Sequence, residues 1–176
     1  SFDRGERDSG GGEGEGHETV GSKATALLVL SALCDGHRAA QAACFEAGVE
    51  SLGSLHALML QGRPDPAKLK EVAEALRSCL LNLSQCHLKT DRWEDAVNAC
   101  SRVLAMPREG DNVKALYRRG LARLELTQLS EARDDLYQAA SLDPQNKEVR
   151  AGYERAKAAH ASHRAEEKAA FGGKLL

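Results

Sequence analysis

Apolar residues recur three and four positions apart along most of the chain from Lys23 onward. This spacing puts them on one face of a helix and predicts amphipathic α-helices rather than strands. Turn-forming residues interrupt the pattern and divide it into seven predicted helices, near 22–34, 37–54, 66–89, 92–105, 112–126, 129–141 and 146–170. Because the connections are short, consecutive helices should be antiparallel neighbours, which predicts an all-α array of hairpins.

An internal repeat sharpens this prediction. The sequence from Leu80 to Met106 matches a second stretch when it is shifted by 36 residues. Each copy carries two small residues twelve positions apart, which are Ser84 and Ala96 in the first copy and Gly120 and Ala132 in the second. Small side chains at these positions let the two helices of a hairpin approach closely. A period in the mid-thirties with this pattern is typical of stacked helical repeats.

Composition agrees with packed helices and sets limits on function. Hydrophobic residues make up 42% of the chain but aromatic residues only 4%, and the net charge is −2. This charge gives no overall attraction to nucleic acid or to an anionic membrane. No apolar run is long enough to span a membrane. Residues 1–21 hold seven Gly and six acidic residues, so we expect a disordered tail.

The candidate chemistry for catalysis or metal binding is weak. The five cysteines (34, 44, 79, 86 and 100) are odd in number and form no CxxC pair, so we expect reduced core residues of a cytoplasmic protein. The histidines closest in sequence, His160 and His163, belong to a polar helix face. No histidine has an obvious carboxylate partner. We therefore expect no enzyme activity in this chain, no metal and no cofactor.

The small-residue pairs, the fixed apolar positions and the closing LDP at 142–144 resemble tetratricopeptide repeats. More narrowly, LLNLSQCHLK (80–89), NVKALYRRGLAR (112–123) and DPQNKEVR (143–150) resemble the repeat domain of large FK506-binding immunophilins. The stretch RAEEKAAFGG (164–173) is similar to the Lys-rich helix that follows the repeats in those proteins. The resemblance implies a right-handed α-solenoid over 22–145, with hairpins at about 22–54, 66–105 and 112–141, the first of them degenerate. A capping helix over 146–176 would follow. The chain begins with Ser rather than Met, so we expect a fragment, and the resemblance implies a prolyl-isomerase domain upstream of it.

The first helices of such hairpins line a concave groove. Ser78, Asn82, Gln85 and Lys89 share one face of the 66–89 helix, and Lys114, Tyr117, Arg118 and Leu121 share one face of the 112–126 helix. Lysine, arginine and amide side chains there suit capture of a peptide carboxylate. We therefore predict a peptide carboxylate-binding site at Asn82, Lys114 and Arg118, with Lys89 and Gln85 as further candidates. Tyr117 fits the core better than the groove, and Arg155, His163, Arg164 and Lys168 fit a solvated face.

In the family that this chain resembles, such a site is a carboxylate clamp that binds the C-terminal Glu-Glu-Val-Asp of heat-shock protein 90 and 70 chaperones. Asn82, Lys114 and Arg118 match three clamp positions. Two others, a lysine and an asparagine on the first helix, would fall near 25–27 and 29–31, where neither residue type occurs, although Lys23 is close. The alternative is therefore a repeat scaffold that binds a different protein. We expect a monomer or a weak dimer in either case.

Overall fold

Six helices make up the part of the chain that the computed structural model describes, residues 38–62 and 65–172. They are α1 (Arg38–Gln61), α2 (Pro66–Lys89), α3 (Trp93–Leu104), α4 (Val113–Glu125), α5 (Leu129–Leu142) and α6 (Lys147–Gly172). Each helix packs on the next in sequence, and α2 also contacts α4. The all-α array of hairpins is confirmed. The predicted tail over 1–21 and the predicted helix over 22–34 lie outside the described residues.

Short polar side chains fix where three of these helices begin. Asp65 accepts a hydrogen bond from the backbone N–H of Ala67 at 3.0 Å, immediately before Pro66 opens α2. Asn112 caps α4 in the same way, by accepting from the N–H of Ala115 at 3.1 Å. Asn146 caps α6. These bonds satisfy backbone donors that the first turn of a helix leaves without partners.

Helix α1 is longer than the sequence indicated. The predicted helix ended near residue 54, but α1 continues to Gln61. Leu55 and Met59 extend its apolar face and pack, partly buried, against the main core, so the helix gains contacts beyond that point. The prediction was wrong because Gly53 and Ser54 are weak helix formers, and packing overrides such local preference. Phe45 and Leu52 of this helix are buried in the main core.

In the two full hairpins, α2–α3 and α4–α5, the paired helices touch at the small residues Ser84 and Gly120. A Cβ atom added to Gly120 would lie 2.5 Å from Cγ of Leu136, which is completely buried on α5. At the equivalent place in the first copy, Ser84 on α2 lies next to the buried Cys100 thiol on α3. A glycine therefore faces a large side chain in one hairpin, and a serine faces a smaller side chain in the other. The hairpin contact therefore constrains the summed volume of the two side chains that face each other.

A buried carboxylate ties the helices of the last hairpin together. Asp135 on α5 is 5% exposed and accepts two hydrogen bonds from Arg119 on α4, at 2.7 and 2.8 Å. Arg123, one turn later, donates a third at 2.6 Å. Arg119 also reaches the hydroxyl of Ser101 on α3 at 3.3 Å. Three consecutive helices are therefore joined through one charged cluster.

Only the first half of α6 packs on the hairpin before it. Val149 and Ala156 are buried, and Gly152 lets the helix approach so closely that an added Cβ would lie 3.0 Å from the Tyr117 ring. These positions are three and four apart and form one narrow face. Residues 161–170 are all exposed. The backbone near residue 155 is consequently fixed relative to α4, whereas no side chain from 161 to 170 is buried.

We expect Gly120→Ser to destabilise the domain by about 1–3 kcal/mol, because Leu136 cannot move away from the new side chain without strain. Leu136→Cys alone should cost about 2–4 kcal/mol through lost packing. Together they recreate the Ser84–Cys100 pair, so the double variant should be more stable than the sum of the two losses predicts. Urea denaturation measures all three, and strictly additive losses would contradict the volume argument. Gly110→Ser is the matched control, since no atom lies within 4 Å of its added Cβ.

We expect Asp135→Ala to destabilise the domain by about 2–4 kcal/mol, because Arg119 and Arg123 would lose the carboxylate that compensates their partly buried charges. Their side chains are 19% and 20% exposed, so water offsets part of the loss. The neighbouring Asp134→Ala is the control: Asp134 is 65% exposed and pairs with the adjacent Arg133, so its removal should cost under about 0.5 kcal/mol. Equal unfolding midpoints in urea for the two variants would contradict this role of Asp135.

Candidate functional site

Arg118 is the best-defined of the predicted site residues. It lies on α4, it is partly buried, and its Nη1 donates a hydrogen bond of 2.5 Å to the backbone carbonyl of Leu81 on α2. That carbonyl also accepts from the Ser84 hydroxyl at 2.7 Å. Burial lowers the pKa of the Arg118 guanidinium, although an arginine remains charged at neutral pH. The result is a cation whose position is set by the neighbouring repeat, with other N–H groups left for a ligand.

Lys114 precedes Arg118 by one turn of α4 and is exposed. Within the described residues its ammonium group has no ion-pair partner. Asn82 occupies the position on α2 that corresponds to Arg118 on α4, is partly exposed, and has no side-chain hydrogen bond there either. Residues on the same helix face one turn apart are neighbours, so Lys114 and Arg118 form a local concentration of positive charge. Two donor side chains without partners among the described residues therefore lie near the fixed arginine: Lys114 is one turn before it, and Asn82 follows Leu81, whose carbonyl Arg118 bonds.

Next to Arg118 the helices α2, α3, α4 and α6 enclose a cleft of about 430 Å³. We call it the α6 cleft; its lining residues are Gln85, Leu88, Lys89, Trp93, Tyr117, Arg118, Leu121, Glu125, Glu148 and Arg155. Three of the five predicted site residues line it: Gln85, Lys89 and Arg118. Asn82 and Lys114 are not among the lining residues and lie one turn earlier on their helices. The predicted site residues therefore fall into two groups. Asn82 and Lys114 lie outside the α6 cleft, and Gln85, Lys89 and Arg118 line it.

Tyr117 and Arg155 have other roles than the sequence suggested. Tyr117 was expected in the core, and it does contact α6 at Gly152, but it also lines the α6 cleft. Burial, and then the nearby Glu148 carboxylate, raise the pKa of its hydroxyl. Arg155 was expected on a solvated face. Its side chain is 58% exposed, yet it borders the cleft and its Nη2 donates a hydrogen bond of 3.1 Å to Oε1 of Glu125.

Sequence reasoning missed Trp93, Leu88 and the two glutamates that line the α6 cleft. Leu88 and Trp93 stand at the turn between α2 and α3, and Glu148 and Arg155 come from α6. No sequence signal connects them, because Arg155 lies 30 residues after Glu125 and the two meet only when α6 packs on α4. His163, Arg164 and Lys168 are exposed, as the sequence indicated.

The cysteines that the structure describes are free thiols. Cys79, Cys86 and Cys100 are buried free thiols and Cys44 is a partly buried one; Cys34 lies outside the described residues. Burial raises the pKa of the three buried thiols, which disfavours the reactive thiolate.

Over 38–62 and 65–172 no group of His, Cys, Asp and Glu side chains could hold a metal ion. No helix in these ranges is long and apolar enough to cross a membrane.

Comparison with known proteins identifies the fold. No family model matches the chain. Over 112 residues it is 38% identical to peptidyl-prolyl cis-trans isomerase FKBP42 of Arabidopsis thaliana, a match that covers 61% of this chain and 30% of that protein. It is 37% identical over 86 residues to outer envelope protein 61 of the same plant, which covers 46% and 15%. The chain thus matches less than a third of the length of each of these relatives.

Solved structures agree with these matches. The C-terminal tetratricopeptide domain of an FK506-binding protein from Plasmodium falciparum aligns with a TM-score of 0.59 and 26% identity, covering 81% of this chain and 93% of that one. The first tetratricopeptide domain of Spaghetti (RPAP3), solved with the HSP90 peptide SRMEEVD, aligns with a TM-score of 0.58 at 20% identity, covering 80% and 94%. At that identity the second match shows the shared fold alone.

The repeat period, the close helix contacts in both full hairpins and these similarities agree with one another. The fold is one that mediates protein interactions and is not an enzyme fold. The chain contains a tetratricopeptide-repeat domain, similar to the C-terminal repeat domain of FK506-binding-protein-type immunophilins.

Proposed function

We propose that this domain is a co-chaperone module that docks the acidic C-terminal peptide of a heat-shock chaperone, of the Glu-Glu-Val-Asp type, through a partial carboxylate clamp. The observation that carries the proposal is the Arg118 guanidinium, held on the Leu81 carbonyl and flanked by Lys114 and Asn82, which have no partners among the described side chains. A carboxylate can accept hydrogen bonds from all three side chains at once. Preorganisation reduces the entropy that binding must overcome.

Each residue has a distinct role in this proposal. Arg118 supplies a planar fork for a carboxylate, Lys114 a mobile point charge and Asn82 an amide donor. Gln85 and Lys89 contact the peptide further along, from the wall of the α6 cleft. With the two first-helix positions not contributing, we expect a dissociation constant of about 1–50 μM, or roughly −6 to −8 kcal/mol. A cytoplasmic location belongs to the same proposal, since it would give the domain access to the cytosolic chaperones.

Two observations from the comparisons support this proposal. The RPAP3 domain that shares this fold was solved with an HSP90 peptide, SRMEEVD, and its second domain with an HSP70 peptide, SGPTIEEVD. The immunophilin domain from Plasmodium falciparum is similar in sequence as well as in fold. The competing function is a repeat scaffold for a different protein, and Leu58 and Leu60, which are 65% and 58% exposed at the end of α1, favour it.

We expect Met-Glu-Glu-Val-Asp to bind the full chain with micromolar affinity in a calorimetric titration. Amidation of its C-terminus should weaken binding at least about tenfold, since a charged hydrogen bond is worth about 1.5–3 kcal/mol. Lys114→Ala should weaken binding about fivefold or more and leave the fold intact, because the side chain is exposed and makes no contact that the fold needs. Arg118→Ala should abolish detectable binding.

Lys147→Ala is the matched control, because Lys147 is an exposed lysine at the start of α6, outside the α6 cleft. Circular dichroism and urea midpoints check that each variant keeps its helices. If the folded wild-type chain gives no heat with any acidic peptide, the chaperone-docking proposal fails and the scaffold becomes the working model. The proposal would also be contradicted if Lys114→Ala and Lys147→Ala weakened peptide binding equally.

A further inference from the structure

We propose that Arg155 on α6 determines which peptides the groove accepts, by exchanging the Glu125 carboxylate for a peptide carboxylate three residues before the peptide's C-terminus. This inference rests on the proposed peptide docking and adds a fourth cationic contact to it. The site residues described above all belong to α2 and α4, whereas Arg155 comes from the helix after the last repeat. Its role would make α6 part of the binding site as well as a cap.

The position of Arg155 is fixed by its neighbours rather than by its own contacts. Ala156, the next residue, is completely buried, and Gly152 lies one turn earlier against the Tyr117 ring. The α6 backbone therefore cannot move away from α4 without losing this packing. The Arg155 side chain itself is 58% exposed, so its guanidinium can change partners while its Cα atom stays in place.

The present partner of Arg155 is easy to replace. Glu125 is bound by one hydrogen bond of 3.1 Å, and its side chain is 46% exposed. An exposed ion pair with a single hydrogen bond contributes little net stability, because water solvates both groups well when they separate. An arginine can hold an incoming carboxylate with two parallel hydrogen bonds. Replacement of Glu125 by a peptide glutamate therefore exchanges a weak contact for one at least as strong.

Helix geometry sets the distance. Arg118 and Glu125 both line the α6 cleft and are seven residues apart on α4, which corresponds to about 10 Å along the helix axis. Three residues of extended peptide cover about the same length. If Arg118 holds the terminal aspartate of Met-Glu-Glu-Val-Asp, the first glutamate comes alongside Arg155. The second glutamate, two residues before the end, falls short of it.

The charges of the cleft define the competition. Lys89, Arg118 and Arg155 are positive, and Glu125 and Glu148 are negative. Glu125 therefore acts as an internal competitor that occupies Arg155 in the absence of peptide. Removal of Arg155 should then weaken peptide binding, whereas removal of the Glu125 charge should strengthen it. A purely structural ion pair would give losses in both cases.

Calorimetric titration of the full chain with three peptides tests this: Met-Glu-Glu-Val-Asp, Met-Gln-Glu-Val-Asp and Met-Glu-Gln-Val-Asp. We expect Arg155→Ala to weaken binding of the first peptide about five- to tenfold, because the peptide glutamate loses its partner and faces Glu125. We expect Glu125→Gln to tighten binding about threefold. Both effects should disappear with Met-Gln-Glu-Val-Asp and persist with Met-Glu-Gln-Val-Asp.

Arg150→Ala is the matched control, since Arg150 is an exposed arginine on the same helix that does not line the α6 cleft. It should leave the affinity for every peptide unchanged. The Arg155 inference fails, and the docking proposal stands, if binding depends on Lys114 but Arg155→Ala has no effect, or if both ion-pair variants weaken binding. If the folded wild-type chain binds none of the peptides, both proposals fail together.

Discussion

Close contact between the two helices of a hairpin is the constraint on which the rest of this structure depends. At Gly120 the backbone of α4 lies so near Leu136 that no side chain fits between them. At the equivalent position of the other hairpin, Ser84 faces the smaller Cys100. Because the interior is closely packed, a change of one methylene group on either side would shift a helix axis. The groove is formed by α2 and α4, so its width depends on how tightly each of them packs on its partner.

The charged groups of the domain fall into two sets with different physical roles. Asp135 accepts three hydrogen bonds from Arg119 and Arg123 and is almost fully buried, so this cluster joins helices. Arg118 is adjacent in sequence to Arg119 but points to the other side of α4, where it bonds a backbone carbonyl and not a carboxylate. A carbonyl fixes an arginine without neutralising it. Of two neighbouring arginines, one therefore stabilises the hairpin and the other remains available to an anionic ligand.

Helix α6 affects both the stability of the repeat array and the shape of the site. Its first half covers the apolar surface that the last hairpin would otherwise expose, through Val149, Gly152 and Ala156. A terminal repeat of a solenoid needs such a cover, since no further repeat follows to bury it. The same packing brings Glu148 and Arg155 to the edge of the α6 cleft. Capping and recognition are thus consequences of one helix–helix contact.

The sequence by itself determined the helical class, the repeat period and the limits of five helices to within two residues, because apolar spacing and capping side chains are local properties. It also predicted Arg118 as a site residue, since the helix period puts it on one face of α4 with Lys114. The sequence did not determine the end of α1, where contacts of Leu55 and Met59 outweigh the weak helix preference of Gly53 and Ser54. Nor did it indicate the Leu81 carbonyl beneath Arg118, or the pairing of Arg155 with Glu125. Those contacts join residues 30 or more positions apart, and only the packing of whole helices brings them together.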